Sequence, residues 1–297
     1  MNSRDRSPRV SNTFYEGTPS RLSEQVKWCF LHKVGPGSLP VQPSGTGPRG
    51  NSAPIRREYV AAISPHAGLV YSGPIAAHGY LRLSSEPQPD IAVIIGPNHT
   101  GYGAGVSVWG GGGWITPLGR LDVDGGVAND IAASGAAEID EDAHLGEHSV
   151  EVQLPFLQFI YGNGIKIVPI CMMLQDYDTS KDLGIAVADA LKGRDAVVIA
   201  STDFSHYVPY AEAYRNDSVV SEAILRMDPR GVERAVVGGG ISMCGPGPVM
   251  AAMTAAISMG AGSCERLCYA TSGDTSGDKS SVVGYGSFVM RRPPVQK

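Results

Sequence analysis

The sequence predicts one α/β domain with a mixed, largely parallel β-sheet covered by helices on both faces, and three observations carry that expectation. Short apolar runs recur along the chain: EYVAAIS, IAVIIG, GVSVW, IKIVPICMM and AVVIAS, beginning at residues 58, 91, 105, 165 and 196. They are nearly continuous in apolar side chains, as expected of strands buried on both faces, rather than alternating as in a strand with one wet face. Segments of helical periodicity lie between them, the pattern of a sheet held between helical layers. Finally, 297 residues with 42% hydrophobic side chains suffice for one sizeable core, and no fixed-period repeat divides them.

In chain order, the first element is a helix in PSRLSEQVKWCFLHK, where Leu22, Val26, Cys29 and Phe30 share one face and Ser20 or Ser23 is placed to cap it. Residues 35–54, GPGSLPVQPSGTGPRGNSAP, are so rich in Gly, Pro and Ser that a flexible surface loop is expected, too short to separate two domains. Further helices are read in PIAAHGYLRL, VANDIAAS, VEVQLPFLQFI, DLGIAVADALK, AEAYRNDSVVSEAILRM and PVMAAMTAAISM, each between or after the strands already named. SVVGYGSFVM closes the chain as a strand through its alternation and β-branched residues. WGGGGW and VVGGGISMCGPGP lack the G-x-G-x-x-G order and read as permissive backbone. SGDTSGDKSS, with Asp278 where a P-loop has glycine before its lysine, reads as a loop.

Charge and cysteine usage narrow the function classes. A formal net charge of -5 gives no broad electrostatic reason to bind nucleic acid. The start of the chain lacks the apolar core of a signal peptide and no run approaches a bilayer span, so a cytoplasmic protein without a membrane partner is expected. Five cysteines, an odd number in mostly apolar surroundings, are expected to be reduced thiols. Cys264 and Cys268 lie in a stretch that reads equally as helix or strand, and are given a structural role.

Three strand ends carry chemistry. YVAAIS is followed by His66, IAVIIGPN delivers His99, and AVVIAST delivers Asp203 and His206. Ligands of open α/β sheets gather outside the carboxyl ends of the strands, so parallel neighbours would bring these groups to one rim. Singly, each has a plain alternative: a histidine at a strand end is often a hydrogen-bonded structural residue, and Asp203 has the chemistry of a helix cap. HLGEH, His144 to His148, matches the H-x-x-E-H pattern of inverted zinc peptidases, but Gly146 inside it favours a loop entering the next helix.

SPHAGLVYSGPIAAHGY, GPNHTGYG, EHSVEVQLPFLQ, STDFSHY and MCGPGPV together resemble the Memo family in its archaeal and bacterial form, and the resemblance runs from NTFYEGTPSRL to SVVGYGSFVM. It implies a fold similar to the class III extradiol dioxygenases and LigB-type proteins. By the same resemblance one metal ion per chain, iron(II) before copper or zinc, is held by His66, His99 and Cys244. The proton-transfer histidine falls on His206, with Asp203 beside it, and His148 and Glu147 complete the pocket. Ring-cleaving relatives have a carboxylate where this chain has the Cys244 thiol, and a thiolate favours softer metals. A metal-dependent oxidoreductase is therefore expected, with a peptide- or small-ligand-binding adaptor or a zinc hydrolase as alternatives. The resemblance also implies radical-SAM and AMMECR-type proteins as partners. The animal-type N-terminal motif has a histidine and a tryptophan-tyrosine pair where this chain has Asn12, Thr13, Phe14 and Tyr15.

Overall fold

The computed structural model describes residues 5–41 and 56–294, so most of the Gly/Pro/Ser-rich loop expected at 35–54 lies outside the described residues. In chain order the strands are β1 (Asp5–Arg6), β2 (Tyr59–Ser64), β3 (Ile91–Pro97), β4 (Val106–Val108), β5 (Gly113–Thr116), β6 (Gly119–Asp122), β7 (Glu138–Ile139), β8 (Lys166–Met172), β9 (Ala196–Ser201), β10 (Ser263–Thr271) and β11 (Gly284–Arg291). The helices are α1 (Pro19–Leu31), α2 (Leu69–Leu83), α3 (Gly125–Ala133), α4 (Asp142–Leu145), α5 (Leu154–Tyr161), α6 (Tyr177–Ala190), α7 (Tyr210–Leu225), α8 (Pro229–Gly239), α9 (Pro246–Ser258) and α10 (Ser272–Ser276).

Eight strands form the main sheet in the order β10-β11-β2-β9-β3-β8-β4-β7, and β1, β5 and β6 form a small second sheet. The four central strands, β2, β9, β3 and β8, are mutually parallel, with Ile63 opposite Ala200 and Ile95 opposite both Ala200 and Ile170. β11 runs antiparallel to β2 and β10, and β4 antiparallel to β8, which makes the sheet mixed. Alternate side chains of each parallel strand serve opposite layers. Val93 and Ile95 pack with α3, α6 and α9, whereas Ala92 and Ile94 pack with α1, α2 and α5. Continuous apolar strands are what such two-sided burial requires.

The expected elements are present, with local differences. α1 is preceded by Thr18 with Pro19 in its first turn, not capped by Ser20 or Ser23. The VEVQLPFLQFI helix divides into a 3-10 turn at Glu151–Gln153 and α5. Cys264 and Cys268 lie on β10, which resolves the helix-or-strand ambiguity as strand, and all five cysteines are free. WGGGGW contains the start of β5, VVGGG the end of α8, and SGDTSGDKSS a short helix, α10, closed by a capping box between Thr271 and Asp274. Glycine hides these elements from sequence reading because it has weak preference for either helix or strand. Among the described residues, no helix is long and apolar enough to cross a membrane.

Candidate metal centre

β2, β9 and β3 are adjacent and parallel, so their carboxyl ends open at one rim, and the chain leaving each carries a reactive group within two residues. His66 is 2% exposed, and its ring lies 5.3 Å from that of His99 and 5.5 Å from that of His148, centroid to centroid. His99 and His148 stack at 4.7 Å. One ligand atom from each of the three imidazoles lies within 4.8 Å of the other two, a group able to hold a metal ion.

The hydrogen bonds behind these rings determine which nitrogens face inward. Ser201 Oγ donates to the Ser149 carbonyl at 2.6 Å and so accepts from Gln153 Nε2 at 2.8 Å and from His66 Nδ1 at 2.9 Å. His66 thus carries its proton on Nδ1 and turns the Nε2 lone pair to the cleft. His99 Nδ1 donates to Glu147 Oε1 at 2.9 Å, the carboxylate–histidine arrangement that orients metal ligands. Glu147 also accepts from the backbone amides of His99, His148 and Ser149. Burial opposes its ionisation, but the His99 hydrogen bond and the His99 and His148 charges override this and hold the carboxyl well below its ordinary range. Burial and the neighbouring histidines push His66 well below the ordinary imidazole range, which keeps it neutral and able to ligate.

The loop bearing Glu147 and His148 approaches β3 because Gly96 has no side chain; a Cβ there would stand 2.3 Å from Ser149 Oγ. Ser149 Oγ instead donates to the Pro97 carbonyl at 2.8 Å. From the other side the loop is held by Arg6. This guanidinium donates to the His144 and Glu147 carbonyls at 2.7 and 2.5 Å and pairs with Glu151 at 2.6 Å, all fully buried. Glu151 in turn accepts from Tyr15 OH at 2.6 Å, and Phe14 packs edge-on against His148 at 4.7 Å. Sequence reasoning missed Arg6, Ser201, Gln153 and Glu151. Their signal is a buried polar side chain, visible only once the chain is folded.

Cys244 lies on the opposite flank of His66, with Sγ 3.4 Å from His66 Nε2. Cys244 is not part of the converging group, in which His148 joins His66 and His99, so the thiol expected as third ligand stands beside one imidazole only. The donor set therefore fits a metal: three converging imidazoles with a thiol beside one of them. Burial, and then the Asp203 charge, push the Cys244 thiol upward and keep it protonated unless a cation is bound. Asp203 Oδ1 accepts from the His66 amide at 2.9 Å, and Oδ2 lies 4.0 Å from His66 Nε2. It caps no helix, since α7 begins only at Tyr210. His206 Nδ1 lies 2.7 Å from the Phe204 and Ser242 carbonyls, and its Nε2 has no hydrogen-bond partner among the described residues. His144 turns away from the cluster: it is buried between Trp109 and Trp114, with Nδ1 3.3 Å from Cys171 Sγ. HLGEH therefore does not place its two histidines on one ion.

The family model for Memo-like proteins matches residues 6–289. The chain belongs to the Memo family. A MEMO1 family protein of Methanopyrus kandleri is 44% identical over 291 residues, covering 97% of this chain and 99% of that protein. One from Methanothermobacter thermautotrophicus is 46% identical, covering 94% and 98%. A solved structure of an uncharacterized Escherichia coli K12 protein is similar in fold at a TM-score of 0.52 with 14% identity, over 77% of this chain and 99% of that one. The histidine-lined rim is thus a feature of a Memo-family α/β fold.

Proposed function

We propose that this Memo-family chain holds one metal ion at the rim, on His66 and His99 with His148 and Cys244 at its flanks, and acts as a mononuclear metal-dependent oxidoreductase-like enzyme. The observation that supports this reading is the convergence of three imidazole ligand atoms within 4.8 Å. Imidazole suits iron, copper and zinc alike, and we expect iron(II) first. Such an ion would polarise a bound oxygen atom and, as iron, carry electrons. Glu147 keeps His99 in its ligating tautomer, and Asp203 fixes the His66 backbone. His206 is the proton carrier in this proposal, because its Nδ1 is occupied by carbonyls and its Nε2 is left to exchange a proton.

A second reading, a binding module for a peptide or small molecule, has its own support. Tyr102 and Tyr207, in the loops directly after His99 and His206, are 71% and 78% exposed, and aromatic side chains at a cleft mouth favour docking. Under either reading, radical-SAM and AMMECR-type proteins are the partners we propose.

Elemental analysis of protein purified without oxygen tests the metal. His99→Ala should lose most of it. Cys244→Ala and His148→Ala divide the flanks: retention of zinc in the first and loss in the second would favour a three-histidine site of the zinc hydrolase kind. Equal metal in wild type and all three variants would refute the proposal. His206→Ala should keep its metal and lose turnover by about 10² to 10⁴-fold, the scale of acid/base assistance. Full turnover in the metal-loaded variant would return the protein to the binding reading.

A further inference from the structure

Tyr285, on β11, stands between the loops that build the centre. Its neighbour Gly284 accepts from the Phe204 amide at 2.8 Å and donates to the Ser205 carbonyl at 2.9 Å, which ties β11 to the loop carrying Asp203 and His206. On its other side β11 pairs with β2, Phe288 opposite Ile63, and this register carries Tyr285 past the end of β2 to the His66 loop. The Tyr285 ring packs with Ile75 and Ala270, and Ala67, next to His66, packs against that cluster. Only 2% of the residue is exposed. Its hydroxyl makes no hydrogen bond among the described residues, whereas the other deeply buried tyrosine hydroxyls, those of Tyr15, Tyr80 and Tyr161, are all bonded.

The phenol has no acceptor among the described residues and its oxygen is not among their sealed, unbonded atoms, so it is open to a molecule entering the rim. The loop that the β11 register sets opposite Tyr285 carries His66, whose Nε2 is a ligand atom for a cation, so an acceptor for the phenol can come with a molecule drawn to that cation. We propose that Tyr285 is a ligand-binding residue of the metal cleft, its hydroxyl donating to an oxygen of an anionic ligand, such as a carboxylate, held by the ion. This rests on the metal reading above. Burial, and then the charge of Asp203, hold the phenol protonated, so it stays a donor throughout the working pH range. Tyr71 and Tyr207, within electrostatic reach of Tyr285, are exposed.

The test uses cobalt(II)-loaded protein and acetate, with the visible cobalt bands reporting acetate binding. Tyr285→Phe, which keeps the ring and its packing, should leave cobalt affinity unchanged and weaken acetate binding about ten-fold or more, the worth of a hydrogen bond to a charged acceptor. In zinc-loaded wild type, the Tyr285 ring carbon bearing the hydroxyl should shift on acetate addition in a 13C spectrum. Unchanged acetate affinity in a cobalt-loaded variant, or a Tyr285 signal that stays still while acetate binds, would overturn the assignment of Tyr285 alone. Absence of cobalt bands in wild type would overturn it together with the metal reading.

Discussion

Strand β9 begins just after one buried aspartate and ends just before another, and the two live differently. Asp195 and Asp203 are each 4% exposed. Asp195 is met by the Arg57 guanidinium through both carboxylate oxygens, and Arg57 also donates to the Pro87 carbonyl. Among the described residues Asp203 has no guanidinium or ammonium partner; a backbone amide and imidazoles surround it, and burial pushes its carboxyl up to about 6. Burial of a carboxylate is costly in both places. At the amino end of the strand that cost is offset by an ion pair. At the carboxyl end it is offset only in part, by the His66 amide, and the carboxylate is available to something that arrives.

The comparison breaks most visibly in unfolding experiments. Arg57→Ala removes the guanidinium that meets both oxygens of buried Asp195 and should cost about 3–5 kcal/mol in urea denaturation of the metal-free protein. Asp203→Asn breaks no ion pair and should stay within about 1 kcal/mol of wild type. Equal losses would show that the two ends of β9 do not differ as described.

A smaller effect is expected at a third buried aspartate, Asp217, which also has no cation partner among the described residues and is held by Ser205 Oγ at 2.6 Å and Tyr269 OH at 2.5 Å. Gly284 makes room for it: a Cβ there would stand 2.0 Å from Asp217 Oδ2. Gly284→Ala should therefore cost about 1–3 kcal/mol through overpacking, read as a lowered melting temperature. A variant as stable as wild type would mean that Asp217 can move aside freely.

Smallest is the pH signature of Asp217 itself. Burial raises its carboxyl above the ordinary range, so the folded state binds its proton more tightly than the unfolded state does. Its ionisation then weakens the fold as pH rises from about 4, the unfolded value, until the folded value is passed. Asp217→Asn should flatten that part of the stability–pH curve by an amount near 1 kcal/mol or less. An identical slope in wild type and variant would assign the pH dependence to other groups.

How much of this was legible in the sequence follows from chain distance. The parallel core was readable because each strand is a local apolar run, and His66, His99 and Asp203 were readable because each follows such a run within two residues. Arg6 was not, since its meaning depends on Glu151, 145 residues away, and a lone arginine near a proline has no pattern. His148 was read as a pocket residue, and its stacking on His99 depends on how the 142–149 segment folds, which Gly146 obscures. Tyr285 looked like one more residue of an alternating strand; its unclaimed hydroxyl is a property of its neighbours.

The Arg6–Glu151 pair also has a history within each molecule. Residues 5–15 leave the ribosome long before residue 151 is made, and a two-residue strand such as β1 has no means of persisting alone. They must wait, unpaired, until the 144–151 segment exists, and closing so long a span carries an entropic cost that only the finished core can repay. Maturation of the rim is therefore a late event in the birth of the protein, and a segment made well before its partner is among the last to find its place.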